Sequence, residues 1–311
     1  MTPPSEKPPL TEAEVVSYFE SMSNWGRWGV DDELGALNLI GPEKIHEAAA
    51  LVEHGIAISC ARLIEWAPRP KHPEATVPPV HFMQRSGESA NMNAMDSATD
   101  WAGLPLHGLY ITHIDAFSHI FWKGQMYNGR PAGAVVTNHG ARSGSVELAS
   151  SGVVTRGILL DVARSRGIKW MEDGDGADSG DLERAEAMTG SRVEPGDVMY
   201  VRTGYAARRP GKSLDLPGLT ADSLQFIRDR EPAIVATDSG TDAFPSGYPS
   251  LEAPVHGVAM VAMGMWIIDN CDLESLARKC ADLTRWHFMT VISPLRLKNS
   301  TGSPVNPLAI F

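Results

Sequence analysis

Residues 109–121 read LYITHIDAFSHIF. An apolar, β-branched run of this kind predicts a strand. On a strand alternate side chains face the same way, so His113 and Asp115 point together. An imidazole nitrogen beside a carboxylate oxygen, with no thiolate, suits a zinc or manganese ion. His119 stands four positions after Asp115. If the chain turns there, its ring reaches the same pocket, and an imidazole near a metal without binding it is a natural general base for activated water. A lone His-x-Asp on a strand is more often a satisfied core pair, and 10 histidines guarantee some chance proximity. The surrounding sequence has to decide.

Upstream, TEAEVVSYFESMS predicts a helix whose Thr11 and Glu14 form a capping box. GRWGVDDELGALNLI has no clear period. GPEKIHEAAALVEHG predicts a helix with Pro42 near its first position and Gly55 as the left-handed C-terminal cap. ISCARLI follows as a short strand. Residues 66–101 are rich in Pro, Asn, Ser and His, and a structureless stretch of that length usually covers a site or an interface. Downstream, KGQMYNGRPAG is turn-rich. RGILLDVA, EPGDVMYVRTGY and PAIVATDSGTD predict buried strands, DLERAEAMTG and TADSLQFIRDRE helices, HGVAMVAMGMWIIDN a short helix running into a strand, and RWHFMTVISPLRL a final strand. Strands and helices mix without a repeat period or a dividing linker. The class is α/β with a mixed sheet, in a single domain over 1–311 with a loose arm at 1–10.

Composition excludes several functions. The net charge of −11 and the absence of a Lys/Arg run argue against nucleic acid. No stretch approaches the roughly 20 apolar residues of a membrane helix. The start, MTPPSEKPPL, lacks the apolar core of a signal peptide, and Cys60, Cys271 and Cys280 are too scattered for a disulfide framework. A cytoplasmic protein with buried thiols is expected. There is no G-x-S-x-G nucleophile elbow, no activated cysteine, and Gly174 to Gly176 lacks the strand-turn-helix context of a phosphate loop.

THIDAFSH resembles the signature of the metal-dependent cyclase/hydrolase family, which includes kynurenine formamidases and isatin hydrolases, and whose usual pattern is His-x-Gly-Thr-His-x-Asp-x-x-x-His. GALNLIGPEKIHEAAALV, RGILLDVA, EPGDVMYVRTGY, the region from Asp238 to His256, PLRL and GSPVNP are similar to the family in the same order. The resemblance implies a swivelling β/β/α cyclase-like fold, a mixed sheet flanked by helices, with a homodimer or homotetramer whose contacts fall in the N-terminal arm and the 66–101 stretch. It implies a divalent ion, Zn2+ or Mn2+, held by His113 and Asp115 with His107 or His256, and His119 as the proton-transferring group. The pattern's first His falls on Leu109 and its Gly on Ile111. His107 shares the strand parity of 109 and replaces the missing ligand if the backbone bulges. Asp269 stands where the family has Glu, one position late.

The implied activity is hydrolysis of an amide, imide, lactam or lactone in a small cyclic or aromatic molecule. Two rivals stay open: a metal-dependent cyclase or lyase on a polyketide-like substrate, and a non-catalytic binding protein with a degenerate site. Asp238 and Asp242 end a strand, where turn-forming acids are the commoner use. His139, in TNHGARSG, is a loop residue either near the site or merely exposed. Trp25, Trp28, Trp101 and Trp122 could wall a pocket, but core packing is the commoner use of Trp.

Overall fold

The structure, a computed structural model, describes residues 9–66, 79–91, 94–208 and 215–311. Most of the expected arm at 1–10, residues 1–8, and part of the 66–101 stretch therefore lie outside the described residues. The main sheet has nine strands: β1 (Ala57–Ser59), β2 (His113–Asp115), β3 (Val153–Asp161), β4 (Val198–Arg202), β5 (Ile234–Thr237), β6 (Trp266–Asp269), β7 (His287–Ile292), β8 (Gly302–Pro304) and β9 (Leu308–Ile310). Their order is β1-β9-β7-β3-β4-β5-β6-β2-β8.

Strands β3, β4, β5 and β6 run parallel. Parallel strands are covered on both faces, and β4, β5 and β6 are buried along their whole length. Antiparallel strands flank this core on either side. The sheet cannot be flat. Strands β8 and β9 lie seven steps apart in the order, which at a spacing of about 4.8 Å is roughly 34 Å. The chain from Pro304 to Leu308 spans at most about 14 Å. The sheet therefore curls until its ends approach, and Cys60 beyond β1 donates to Pro307 O at 2.8 Å while Ala61 bridges to Cys271 beyond β6.

Among the described residues the helices of eight residues or more are α1 (Glu12–Ser21), α2 (Pro42–Ala50), α3 (Ser179–Thr189), α4 (Ser223–Arg230) and α5 (Glu274–Leu283). Helix α1 has the predicted capping box between Thr11 and Glu14, and α3 ends on Gly190 in the left-handed region. Helix α2 stops at Ala50, capped by Leu51; Gly55 has its positive φ a turn later, so it is not the cap. The predicted strand at ISCARLI shrinks to β1, and LYITHIDAFSHIF to β2, because only those residues find a partner strand. The stretch 66–101 is not structureless: Val80–Arg85 pairs with Thr99–Gly103 in a separate ribbon. RWHFMTVISPLRL is not the last strand, since β8 and β9 follow it.

Candidate metal centre

Strand β2 lies between β6 and β8, with Asp269 opposite His113 and Gly302 opposite Asp115. His113 and Asp115 face the same side, as the alternation predicts: His113 Nε2 is 3.5 Å from Asp115 Oδ1. His113 Nδ1 lies 3.0 Å from Ile111 O. A carbonyl only accepts, so Nδ1 carries the hydrogen and Nε2 keeps its lone pair for the centre.

His107 also reaches this point, but not through a bulged strand. The chain before β2 is irregular and turns at Gly108, φ +96°. The loop is tied down by Asn270, which donates to Gly108 O at 2.7 Å and Ile111 O at 3.2 Å. Thr112 turns into this network, donating to Asn270 O at 2.6 Å and accepting Arg62 N–H at 2.9 Å. His107 Nδ1 then lies 2.8 Å from Asp115 Oδ1 and its Nε2 2.8 Å from Thr301 Oγ1. Leu109 points elsewhere, against Gly240. Gly302 makes room for His107: a Cβ there would lie 2.7 Å from both His107 Cε1 and Ile114 O. The chain turns after Asp115 through His119 N–H to Ala116 O at 2.9 Å, and His119 stacks on His107 with centroids 3.7 Å apart.

His256 and Asp269 complete the cluster. His256 lies at the start of a π-helical turn, Gly257–Ala262, with Nε2 3.5 Å from Asp115 Oδ2 and 3.4 Å from Asp269 Oδ2. Its Nδ1 faces Asp242 Oδ2 at 2.6 Å. Asp269 Oδ1 accepts from Thr241 Oγ1 at 2.6 Å. Asp238 does not form its own turn but holds the loop after β4: its carboxylate accepts Thr203 N–H and Gly204 N–H, both at 2.8 Å. Asp242 does more than form a turn, because it also holds His256. His139 is exposed. The tryptophans form no common wall. Trp25 donates to Val261 O, Trp101 stacks on Phe82 and Trp122 on Phe19, while Arg27 lies over Trp28.

Charge follows from this packing. Burial alone would raise the pKa of Asp115, but His113, His107, His256 and His119 around it hold it well below the usual carboxylate range. Burial alone would lower His256, yet Asp269, Asp115 and Asp242 hold it well above the ordinary imidazole value. Burial lowers His119 to about 4 despite Asp115. Donor atoms gather in two groups that could each hold an ion, His107–Asp115–His119 and His113–Asp115–Asp269, with Asp115 common to both. Asp115 Oδ2 is buried and accepts no hydrogen bond, with His256 Nε2 3.5 Å away. A buried anionic oxygen without a hydrogen bond is costly, and nitrogen and oxygen donors of this kind suit a divalent ion.

Sequence reasoning underweighted Asp269 and missed Thr241, Asn270, Thr301 and Gly302. A signal for Asn270 was present, since Asn tolerates the positive φ of 59° that it adopts next to Asp269. Among the described residues no helix is long and apolar enough to cross a membrane.

A curled mixed sheet with imidazoles converging on one buried carboxylate defines an α/β protein of the cyclase-like fold. The family model described as "Putative cyclase" matches residues 49–242. A solved structure of a novel cyclase is 31% identical, with 94% of this chain and 99% of that chain covered at a TM-score of 0.85. The chain belongs to the cyclase family. Isatin hydrolase A from Labrenzia aggregata, bound to benzyl benzoate, shares the fold at 21% identity and a TM-score of 0.58, covering 84% of this chain and 94% of that one. An isatin hydrolase bound to the product analogue thioisatinate does so at 16% identity and a TM-score of 0.59, covering 87% and 98%. No curated protein matches the sequence.

Proposed function

We propose that the protein is a metal-dependent hydrolase that opens an amide, imide, lactam or lactone bond in a small cyclic or aromatic substrate. The observation that carries the reading is Asp115: a buried carboxylate held ionised among imidazoles, with one oxygen that makes no hydrogen bond. His113 Nε2, Asp115 and Asp269 would hold a divalent ion, zinc or manganese, with His107 or His256 beside them. When bound, such an ion supplies a Lewis acid for a carbonyl oxygen and brings the pKa of water toward neutrality.

The chain's own residues support the rest. Ile111 O fixes the His113 tautomer that leaves Nε2 free. His119 is half-buried on the open side of the cluster, beside the partly exposed His107. Its neutral ring can accept a proton from attacking water and return it to the leaving nitrogen or oxygen. The sequence has no G-x-S-x-G elbow and all three cysteines are buried, which favours this over a covalent route. Membership of the cyclase family supports the hydrolase class, and the same reading expects a homodimer or homotetramer.

The test is elemental analysis of protein purified without chelator or affinity-tag metal, paired with an arylformamide, isatin, a cyclic imide and a dienelactone as substrates. The expected result is about one zinc or manganese ion per chain, with hydrolysis that follows chelation and add-back and a product heavier by one water. A product lighter by one water would identify a cyclising enzyme instead. No metal even after reconstitution would leave a degenerate site.

A further inference from the structure

Thr241 and Asp242 are neighbours in the loop after β5, and each grips a different member of the centre. Thr241 Oγ1 donates to Asp269 Oδ1 at 2.6 Å. Asp242 Oδ2 accepts from His256, whose Nδ1 lies 2.6 Å away. The same carboxylate also accepts Val255 N–H at 2.6 Å and His256 N–H at 3.0 Å. Backbone and ring of His256 are thus bound to one group, and the ring cannot turn without breaking the bond to its own anchor.

The loop is itself held in place. Thr241 N–H bonds Thr237 Oγ1 at 3.1 Å, and Thr241 O accepts Leu219 N–H at 2.7 Å. Gly218 lies so close that a Cβ there would be 2.4 Å from the Asp242 carbonyl carbon. Thr241 has φ +38°, a strained conformation for a β-branched residue, and such strain persists only where the surroundings enforce it. From this loop two consecutive side chains reach two different groups of the same centre.

We propose that Asp242 is a positioning residue: by holding His256 Nδ1 it aims Nε2 at the space between Asp115 Oδ2 and Asp269 Oδ2, so that His256 and Asp269 act together on a divalent cation, and Thr241 fixes the Asp269 side of that pair. The inference rests on the metal reading of the centre and adds the device that orients it. Outer partners that orient a ligating imidazole typically change metal affinity by about 10–100-fold.

The competing role for Asp242 is a plain cap on the turn at Pro254–His256. Asn at this position has one acceptor oxygen for three donors, so Asp242→Asn must release at least one of them. The experiment is a double-mutant cycle in the full chain, with Zn2+ and Mn2+ titrated calorimetrically into metal-free wild type, Asp242→Asn, His256→Gln and the double variant. Each single variant is expected to weaken binding roughly 10–100-fold, and the double variant to bind no more weakly than His256→Gln. Losses that simply add overturn the proposal, because a cap would act without His256. A second measurement needs no metal. Wild type should show a downfield ring N–H resonance that His256→Gln removes and Asp242→Asn broadens or shifts; an unchanged resonance in Asp242→Asn also overturns it. If wild type binds neither ion, the metal reading fails, and the ring resonance alone still decides whether Asp242 holds His256.

Discussion

Gly302→Ala puts one methyl group where the structure has no room for it. The new Cβ would lie 2.7 Å from His107 Cε1, 2.7 Å from Ile114 O and 3.2 Å from His107 Nε2. Carbon contacts are comfortable from about 3.5 Å, so the clash is roughly 0.8 Å deep. Ile114 lies at the centre of β2, paired on one side with Ile268 and on the other with Ser303, and cannot retreat. The His107 ring must move instead. A shift of that size stretches its 2.8 Å contacts with Asp115 and Thr301 to the edge of hydrogen bonding. Overpacking costs about 1–3 kcal/mol, which lowers the melting temperature by on the order of 2–10 °C in a large domain. Metal affinity should fall roughly 10–100-fold if His107 supports the centre. Gly133→Ala is the control: nothing lies within 4 Å of that site, so it should be neutral or stabilising by about 0.4–1 kcal/mol. The assays are thermal melting and metal titration of both variants. If Gly302→Ala matches Gly133→Ala in both, His107 does not sit against Asp115 and the account of the centre is wrong there.

His119→Ala should keep its metal and lose turnover by about 10²–10⁴-fold, whereas His113→Ala should lose both; metal retained with near-normal activity in His113→Ala would remove the assignment of β2. Chelation should lower the melting temperature of the purified protein, because an ion at 100 times its Kd stabilises by about 2.7 kcal/mol; a melting curve indifferent to chelator and added Zn2+ or Mn2+ contradicts a resident ion. Asp181 gives a pH test away from the centre. Burial alone would raise its pKa, but hydrogen bonds from Arg166 and the Asp178 N–H, with Arg184 nearby, hold it below the ordinary value. A carboxylate depressed in the folded state stabilises above its unfolded pKa of about 3.9, and that contribution disappears as pH falls through the lower folded value. Asp181→Asn should therefore unfold at lower urea than wild type at pH 7, with the gap narrowing toward pH 2; a constant gap would assign the loss to packing.

What the sequence made legible was local. The capping box of α1, the left-handed Gly190 after α3 and the apolar runs of β3, β4, β5 and β6 are patterns within a few residues, and each produced its element. The last two strands were not legible. Strands β8 and β9 have three residues each, too few to show a period, and they are strands only because a partner lies alongside. That partner is fixed by the curl of the sheet, a property of the whole chain. Helix α5 is different: Leu276, Ala277 and Cys280 make a buried stripe at helical spacing, yet no helix was expected there.

The centre divides along the same line. His113, Asp115 and His119 lie within one turn of chain, so the alternation of a strand and the turn after it were enough to bring them together. The position of His107 could not follow from counting. A motif read along the chain makes Leu109 the vacant place and asks whether a bulge shifts His107 by two residues. The structure answers with features remote from the motif. Gly108 turns the backbone through a positive φ, Asn270 ties the loop that follows, Thr301 holds the far nitrogen of the ring, and Gly302 leaves the space that the ring fills. Thr301 and Gly302 lie at the start of β8, the strand on the far side of β2 from β6. Asp269 is the converse case. Its late position and short side chain counted against it in sequence, but the antiparallel register of β6 places it opposite His113 regardless of spacing. Ligand spacing is thus informative only within one element, and across elements the register of the sheet decides which side chains meet.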